Sequence, residues 1–313
     1  MQLKNKKVLV TGGAGFIGSH LVDRLVKINA LVTVVDNLSA GNLKNLELSK
    51  NNIDFQKVDI CNFKAISKLI RSQDIVFHLA ANADVPLSIK KPHYDFKNNV
   101  LGGYNVLKSC MNSNVQKVLF ASSAAVYGEP EYVPIDEKHK TNPISPYGAA
   151  KLSIERLGIT YYKCFSLPFT AIRIFNNYGA RQPRYVMYDL IKKLYKNNNY
   201  LEVLGTGEQV RDYCYVEDGA RCFILAAENE KSSGEVYNLA GGNPVKIKDL
   251  VELIIKTLGL ENVTVKYTGQ SWKGDIVKLI ADTKKTKNDL GFKPEMSLNK
   301  GIKKLTNWLR KQK

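Results

Sequence analysis

The sequence of 313 residues contains no apolar run near the length of about 20 residues that a membrane-spanning helix needs. Its first residues also lead through several lysines directly into a short apolar segment, which leaves no room for a signal peptide. Membrane association and secretion are therefore not expected. The sequence predicts a soluble, cytoplasmic protein.

Paired cysteines are also absent. The five cysteines are odd in number and scattered, and no two of them form a CxxC pair: Cys61, Cys110, Cys164, Cys214 and Cys222. This pattern excludes a disulfide framework and a cysteine-based zinc site, so no metal is expected. Buried thiols in a reducing compartment are the remaining interpretation.

Acidic residues are few relative to basic ones. Lys and Arg number 46 against 29 Asp and Glu, which gives a net charge of +17. Such a charge by itself favours a nucleic-acid partner. However, the lysines extend from Lys4 to Lys313 without a long basic block, and no base-stacking aromatics are interleaved with them. We therefore expect a solvated lysine surface and no nucleic-acid partner, although a positive field also suits a phosphorylated substrate.

The most informative segment is a glycine-rich stretch near the start. Residues 8–10 are apolar and predict a strand buried on both faces, whereas Ile17, Leu21 and Leu25 follow at helical spacing. The glycines between them predict a turn in which backbone N–H groups at a helix N-terminus face a diphosphate. Because glycine-rich turns are common, the motif needs its context to be specific.

That context follows in the next strand. Residues 31–36 form a β-branched run that ends in Asp36, about 18 residues beyond Gly18. A carboxylate at this strand end binds both hydroxyls of an adenosine ribose and repels a 2′-phosphate, so the βαβ unit predicts NAD rather than NADP. The alternative is that Asp36 only caps the loop at residues 37–41.

Strands and helices continue to alternate along the first part of the chain. Further strands are predicted at residues 54–60, 75–81, 118–123 and 169–175, and helices at 63–71, 100–111 and 147–165. This alternation predicts an α/β fold, a Rossmann-type doubly wound parallel sheet whose carboxyl strand ends share one edge. At that edge Asp59 is expected near the adenine, and Ala80 and Ala81 beside the cofactor. His78 has apolar neighbours and is interpreted as a core histidine.

The rest of the chain is less regular and predicts a smaller α/β substrate-binding domain. Helices are predicted at residues 190–195 and 248–258, with short strands at 201–204 and 263–265 and one at 236–240 that rejoins the main sheet. Trp308 lies on the apolar face of a final helix and is expected in the core. We therefore assign residues 1–175 plus about 213–241 to the NAD-binding domain, and residues 176–212 and 242–313 to the substrate domain.

A second motif carries the chemistry. Tyr147 and Lys151 are four residues apart in a predicted helix, so the phenol and the ammonium share one face. Ser123, at the end of the fifth predicted strand, can reach the same place. Lys151 and a nicotinamide cation both favour the phenolate, so Tyr147 can take a proton from an alcohol while hydride leaves the same carbon.

These motifs together resemble the extended short-chain dehydrogenase/reductase family, specifically its nucleotide-sugar epimerases and dehydratases. The resemblance covers nearly the whole chain. It rests on TGGAGFIG at 11–18, DNLS at 36–39, HLAA at 78–81, SSAAVYG at 122–128, the Tyr147 and Lys151 pair, RIFNNYG at 173–179 and GTGEQVRDYCYVED at 205–218.

The resemblance implies roles for individual residues. Tyr147 is the catalytic base, Lys151 orients the cofactor ribose and Ser123 binds the sugar oxygen. The residues expected at the NAD site are Gly12, Gly15, Phe16, Ile17, Gly18, Asp36, Asn37, Ser39, Asp59, Ile60, Leu79, Ala80, Ala81, Asn99, Ser122, Tyr147 and Lys151. Those expected at the sugar nucleotide are Ser123, Asn176, Val203, Arg211 and Asp275. The resemblance also implies a homodimer built from the helices that contain Val100 and Tyr147.

Three departures from the family pattern narrow the reaction. Ala124 and Ala125 stand where 4,6-dehydratases have acidic groups, so elimination of water is disfavoured. Trp272 stands where epimerases usually have a diphosphate-binding Arg, and Lys273 could replace that charge without a bidentate fork. Leu279 replaces a Tyr found in epimerases restricted to simple hexoses, which predicts a roomier sugar pocket.

Several hypotheses remain open at this point. The first is a nucleotide-sugar 4-epimerase resembling the UDP-glucose 4-epimerases, which oxidises C4 and returns hydride to the other face of a 4-keto intermediate. The second is a nucleotide-sugar 4-dehydrogenase that releases the 4-keto product. A remote third is a non-catalytic NAD- or RNA-binding protein. The base, uracil or guanine, and the identity of the sugar also stay open.

Overall fold

The computed structural model describes residues 1–270 and 276–312. In chain order its strands are β1 (Lys7–Thr11), β2 (Leu31–Val35), β3 (Ile53–Gln56), β4 (Ile75–His78), β5 (Lys117–Ser123), β6 (Phe169–Ile174), β7 (Asn176–Tyr178), β8 (Tyr200–Val203), β9 (Val210–Tyr215), β10 (Val236–Leu239), β11 (Pro244–Lys246), β12 (Thr264–Tyr267) and β13 (Lys278–Leu279). Its α-helices are α1 (Phe16–Lys27), α2 (Phe63–Ile70), α3 (Val85–Lys90), α4 (Pro92–Asp95), α5 (Gly102–Met111), α6 (Pro146–Phe165), α7 (Val186–Lys196), α8 (Val216–Glu228), α9 (Ile247–Leu258), α10 (Lys284–Leu290) and α11 (Leu298–Arg310). None of the described helices is both long and apolar enough to cross a membrane.

A seven-stranded parallel sheet forms the centre of the fold, in the order β3-β2-β1-β4-β5-β6-β10. The strand order reverses between β1 and β4, which is where an open α/β sheet leaves a crevice for a ligand. The Rossmann-type doubly wound sheet predicted from the sequence is confirmed, and the strand expected to rejoin it is β10.

Both faces of this sheet are covered by helices. Val8 and Val10 belong to a core cluster shared with α1 and α8, whereas Leu9 belongs to a second cluster on the face covered by α2, α5 and α6. Side chains alternate between the two faces of a strand, so burial of both faces makes each strand a continuous apolar run. This is the pattern that the sequence showed.

A second, smaller module is built around β9. This strand pairs with β7 and β13 in parallel and with β11 antiparallel, while β8 and β12 form a separate two-stranded parallel ribbon. The helices α7, α9 and α11 contribute to a third core cluster, in which Trp308 is a partly buried member. Trp308 therefore packs in the core, as expected.

The chain passes between the two modules near the division predicted at about residue 213. The predicted boundary near residue 213 falls inside β9, and the chain enters the layer beside the main sheet only at Val216, where α8 begins. Leu290 and Phe292 also pack in the first core cluster. Thr286 donates a hydrogen bond of 2.7 Å to the carbonyl of Asn238 on β10. Part of the predicted substrate domain thus covers the edge strand of the main sheet, where exposed backbone groups need partners.

Two predicted elements have different bounds in the structure. The strand expected at 54–60 ends at Gln56, because Asp59 turns the chain by accepting a hydrogen bond of 2.8 Å from the Cys61 N–H. The helix expected at 100–111 is preceded by a π-helix, Phe96–Leu101, and continues as α5. π-Helical turns often occur at functional sites.

Candidate active site

The glycine turn lies between β1 and α1 and packs against the end of β4. Gly12 has a φ of +71°, and a Cβ added to it would lie 2.7 Å from the backbone nitrogen of Ala80. Any side chain at this position would therefore be strained by its backbone angle and would also collide with the neighbouring strand end. Glycine is required here by both the turn and the close approach.

The N-terminus of α1 points its first N–H groups out of this turn. Gly15 is the N-cap and offers no capping side chain, and the first turn contains no acidic residue. The first N–H groups of a helix have no partners within the helix, and the helix dipole makes this end positive. Residues 15–18 were all predicted for the NAD site. They form the N-cap and first turn of α1, whose positive end suits an anion.

Asp36 joins the end of β2 to the glycine turn. Its carboxylate is 7% exposed and accepts hydrogen bonds from the N–H groups of Ala14, at 3.0 Å, and Leu38, at 2.8 Å. Burial raises the pKa of Asp36, and these two backbone hydrogen bonds oppose that shift. The carboxylate is thus held at the edge of the crevice.

The predicted residues beyond β2 and β3 lie together. The amide of Asn37 donates to the carboxylate of Asp59 at 3.2 Å, and the N–H of Ser39 donates to the Asn37 side-chain oxygen at 3.0 Å. Ile60 is 6% exposed and packs in the second core cluster, so its side chain anchors the segment after β3 to the core.

The end of β4 is fixed by a buried polar pair. The Thr11 hydroxyl accepts a hydrogen bond from the Ala80 N–H at 3.2 Å and lies 2.8 Å from Nδ1 of His78. His78 is 2% exposed, and burial, together with the nearby charge of Lys151, lowers its pKa to about 3. The interpretation of His78 as a neutral core histidine is confirmed. Leu79, Ala80 and Ala81 follow it at the crevice.

Asn99 occupies the π-helix and clamps the chain after β4. Its side-chain oxygen accepts from the Asn82 N–H at 2.7 Å, and its amide donates to the Asn82 carbonyl at 3.0 Å and to Asp95 at 2.9 Å. Both amide hydrogens are therefore occupied in this conformation. A cofactor contact by Asn99, as predicted from the resemblance, would need the second lone pair of its oxygen.

Tyr147, Lys151 and Ser123 are brought together by α6 and β5. Ser145 caps α6, and the N–H of Tyr147 donates to the hydroxyl of Ser88 at 3.2 Å. The Lys151 ammonium donates to the Ala121 carbonyl at 2.8 Å and lies 5.8 Å from the centre of the Tyr147 ring. Ser123 is the last residue of β5, two residues beyond Ala121. The sequence places Tyr147, Lys151 and Ser123 together, and the structure brings α6 to the end of β5, where Ser123 lies.

The electrostatics of this group are dominated by burial. Burial raises the pKa of the Tyr147 phenol and Tyr185 raises it further, while the hydrogen bond with Ser123 and the charge of Arg184 lower it. Burial lowers the pKa of Lys151 to about 8, against the opposing effect of Asp95. Tyr147 can accept a proton only as a phenolate, and the positive charges around it stabilise that form.

One turn further along α6, Glu155 continues the same face. It accepts hydrogen bonds from the Ser122 hydroxyl at 2.7 Å and from the guanidinium of Arg173 at 2.5 and 3.0 Å. The hydroxyl of Ser122, a predicted cofactor residue, is thus committed to Glu155. No sequence motif pointed to Glu155, although it lies four residues after Lys151.

The structure places the predicted substrate residues in different surroundings. Within the part of the chain that is described, Nδ2 of Asn176 on β7 is buried without a hydrogen-bond partner, as a ligand-binding amide would be. Arg211 lies on β9 opposite Leu279, which packs partly buried near Ala124 and Phe175. Val203 is 3% exposed, and its carbonyl accepts a hydrogen bond from the Thr268 N–H at 3.0 Å, so its side chain is buried and its carbonyl already has a partner. Asp275 and Trp272 lie outside the described residues.

Two residues near Tyr147 were not predicted. Arg184 and Tyr185, which precede α7, act electrostatically on the phenol. They lie in an irregular segment without a motif, so only the folded chain reveals them. Across residues 1–270 and 276–312, no three His, Cys, Asp or Glu side chains are grouped so that they could hold a metal ion.

A Rossmann sheet with a glycine turn, an acid after β2 and a Tyr and Lys pair on α6 defines a dinucleotide-dependent short-chain dehydrogenase type of enzyme. Comparison with known proteins makes this specific. A sequence model of the family described as GDP-mannose 4,6 dehydratase matches residues 9–305. The chain belongs to this family, and its predicted resemblance to the nucleotide-sugar epimerases and dehydratases is confirmed.

Individual relatives include both reaction types. A putative UDP-glucose 4-epimerase of Methanocaldococcus jannaschii is 36% identical, over 97% of this chain and 98% of its own. The UDP-N-acetylglucosamine 4-epimerase from Methanobrevibacter ruminantium, solved in complex with UDP-N-acetylmuramic acid, superimposes with a TM-score of 0.92 at 35% identity, covering 99% of this chain and 100% of its own. DesIV, a dTDP-glucose 4,6-dehydratase from Streptomyces venezuelae solved with NAD bound, gives a TM-score of 0.90 at 28% identity, with 97% of each chain covered.

The glycine turn allows a direct test. Gly12 and Gly242 have nearly the same φ, +71° and +72°, but among the described residues no heavy atom lies within 4 Å of a Cβ added to Gly242. We expect Gly242→Ala to lower the free energy of unfolding by about 1–2 kcal/mol, the cost of the backbone angle. Gly12→Ala should cost at least about 1–3 kcal/mol more because of the collision with Ala80. Urea unfolding of both variants measures the difference, and equal losses would show that the close approach contributes nothing.

Proposed function

We propose that this protein is an NAD-dependent nucleotide-sugar 4-epimerase. The observation that carries the proposal is that Tyr147 and Lys151 meet the end of β5, the strand that ends at Ser123. The Lys151 ammonium lies 2.8 Å from the Ala121 carbonyl and 5.8 Å from the Tyr147 ring centre. These groups suit the removal of a proton from a sugar hydroxyl. The relatives named above as epimerases support the same reaction.

The crevice between β1 and β4 has the features that NAD requires. The diphosphate would lie at the N-terminus of α1, over Gly12 and Gly15, and the adenosine ribose would bind the carboxylate of Asp36. Asn37 and Asp59 would lie near the adenine, and Lys151 near the second ribose. When bound, NAD supplies the hydride acceptor and donor for the C4 carbon of the sugar.

The proton is handled by this chain's own residues. Tyr147 takes the proton of the C4 hydroxyl during oxidation and returns it to the same oxygen when the ketone is reduced. Ser123 holds that oxygen through its hydroxyl. Lys151, whose ammonium lies 5.8 Å from the ring centre of Tyr147, stabilises the phenolate. The proton returns to the same oxygen and the hydride to the opposite face of the ketone, so the net reaction would be an inversion at C4.

Elimination of water is disfavoured by the residues after Ser123. The family takes its name from a 4,6-dehydratase. That reaction needs groups that move the C5 proton and release the C6 hydroxyl. Positions 124 and 125 are alanines, and Ala124 is 2% exposed in the core beside Phe175. A methyl group cannot transfer a proton, which favours epimerisation.

The sugar nucleotide would occupy the space between the two modules. Asn176, whose amide nitrogen is buried without a partner among the described residues, and Arg211 would bind the diphosphate. Val203 stays a prediction from the resemblance. Asp275 remains a prediction from the sequence. Leu279, smaller than a Tyr, leaves room for a bulky sugar such as an N-acetylated hexose. The related epimerases named above act on UDP-sugars by name, which favours a UDP-linked substrate over a GDP-linked one.

A homodimer is also part of the proposal. Large apolar side chains remain exposed in the π-helix before α5 and at the end of α6: Phe96 is 56%, Leu101 41% and Phe165 59% exposed. Apolar side chains grouped on neighbouring helices suit an interface between two copies of the chain.

The proposed reaction is tested by product analysis. Purified enzyme is incubated with UDP-glucose, UDP-N-acetylglucosamine and GDP-mannose, and the products are separated by chromatography. We expect the C4 epimer of one UDP-sugar, with the bound cofactor returned to its oxidised form. Tyr147→Phe should reduce turnover by about 10²–10⁴-fold because proton transfer is lost, whereas Tyr162→Phe should not. A 4-keto product together with reduced cofactor would instead identify a 4-dehydrogenase.

Asp36 provides a test of the cofactor assignment. Asp36→Asn keeps the size of the side chain but removes the charge that binds the ribose hydroxyls. We expect NAD affinity to fall by about tenfold to hundredfold, and the preference over NADP to shrink, measured by calorimetry. The matched control is Asp54→Asn, an exposed acid on the neighbouring β3. Unchanged NAD affinity in Asp36→Asn would contradict the assignment.

The dimer is tested by adding a charge to the apolar surface. Leu101→Glu should convert the protein to a monomer, because a buried unpaired carboxylate is costly at an interface. Leu48→Glu is the control, since Leu48 is 79% exposed on another part of the surface. Light scattering coupled to size-exclusion chromatography measures the mass. A wild-type monomer, or a Leu101→Glu dimer, would be evidence against this interface.

A further inference from the structure

The segment at residues 180–185, called the strap here, connects β7 to α7 and touches the main sheet module at two places. At its first end Arg181 forms an ion pair of 2.7 Å with Asp23 on α1, and the carbonyl of Ala180 lies 2.9 Å from Nε2 of His20. The strap is therefore attached to the helix that begins at the glycine turn.

The second end of the strap reaches the chain beyond β4. Arg184 forms an ion pair of 2.6 Å with Asp84, and the hydroxyl of Tyr185 donates to the carbonyl of Ala83 at 2.7 Å. The Arg184 guanidinium also lies 5.2 Å from the ring centre of Tyr185. Two side chains of the strap thus hold two successive residues of the crevice wall.

The backbone of the strap is strained at both attachment points. Arg181 has a φ of +66° and Tyr185 a φ of +84°, in a region that bulky residues rarely adopt. Such conformations persist only where surrounding contacts hold them, and they concentrate at functional sites. The ion pairs and the hydrogen bond just described supply those contacts.

The strap is linked to Tyr147 through Asp84. The second oxygen of Asp84 accepts from the Leu87 N–H at 2.8 Å and so caps α3. The same short helix carries Ser88, whose hydroxyl accepts from the N–H of Tyr147 at 3.2 Å. Asp84 therefore contacts both the cation of the strap and the helix that supports the catalytic tyrosine.

The charged and titratable groups that act on Tyr147 come from every element around it. Lys151 lies on its own helix, Asp95 on α4, and Arg184 and Tyr185 on the strap, while Ser123 is the last residue of β5. Arg184 and Lys151 favour the phenolate, whereas Asp95 and Tyr185 oppose it. Arg184 is the cation that no motif assigns.

We propose that Arg184 is a positioning residue for Tyr147, with its guanidinium held by Asp84 and Tyr185 so that its charge stabilises the phenolate formed during sugar oxidation. This inference rests on the proposed function, because it assigns Arg184 to the same catalytic centre. A purely structural strap would hold the two modules together without any effect of its charge on the phenol. The two roles differ in the sign of the effects that charge-changing variants produce.

The test measures the ionisation of Tyr147 directly. Phenolate absorbance is titrated in the enzyme as purified with its bound cofactor, and the titration of the same protein carrying Tyr147→Phe is subtracted. Arg184→Met removes the cation, so the pKa of Tyr147 should rise by about 0.5–1 unit, and the acidic limb of kcat/KM should move with it. Arg184→Lys keeps the charge and should restore most of the shift.

Two further variants separate charge from support. Asp84→Asn removes the counter-charge of Arg184 while an Asn still caps α3, so the pKa of Tyr147 should fall. Arg181→Met loosens the other end of the strap and should leave the phenol titration unchanged. An unshifted phenol in Arg184→Met, or shifts of the same sign in Arg184→Met and Asp84→Asn, would overturn the proposal. Shifts of opposite sign in a protein that turns over no nucleotide sugar would support Arg184's role and refute the proposed reaction instead.

Discussion

The catalytic geometry depends on one buried ion pair, between Glu155 on α6 and Arg173 on β6. The two side chains are 0% and 2% exposed, and their remaining hydrogen-bonding groups are used by Ser122 and by the Tyr127 hydroxyl. Loss of one partner from such a pair leaves an uncompensated buried charge, at a cost of about 3–5 kcal/mol. The pair therefore allows α6 only one register against the sheet. Since Tyr147, Lys151 and Glu155 follow at intervals of four residues on one helix face, that register also places the phenol and the ammonium at the end of β5.

Around this centre, the crevice is formed by chain segments that hold one another by polar contacts rather than by apolar packing. Thr11 binds the Ala80 N–H, Asp36 binds the Ala14 N–H, and Asn99 binds both backbone groups of Asn82. The first two contacts join neighbouring strand ends, and the third joins the chain after β4 to the π-helix. Loops at the carboxyl ends of strands lack the ladder of the sheet, so side chains must satisfy their backbone groups. A ligand surface made in this way is defined before a ligand binds.

In the proposed reaction the two modules would surround the sugar, with Tyr147 and the glycine turn on the main sheet module and Asn176 on β7 and Arg211 on β9 in the smaller module. The strap crosses between α1 and the chain after β4, so it contacts the elements nearest both ends of the crevice. The positive charges of Arg184 and Lys151 act on Tyr147 against the burial that raises the pKa of its phenol. The net charge of +17 comes from lysines and arginines distributed along the whole chain.

Local pattern was sufficient for the parts of this protein whose physics is local. Buried parallel strands must be apolar throughout, a turn that approaches a strand end must be glycine, and a spacing of four must align Tyr147 with Lys151, so the sheet, the crevice and the catalytic pair were all predictable. Ser122, Val203 and Asn99 were assigned to ligands by resemblance, but their partners in the fold are Glu155, Thr268 and Asn82. The pair formed by Arg184 and Asp84 was not predictable, because the two residues are 100 positions apart in the chain and meet only in the fold. Sequence alone determined which chemistry this chain carries. Only the tertiary structure decided which charges surround the phenol, since long-range ion pairs leave no periodic trace in the sequence.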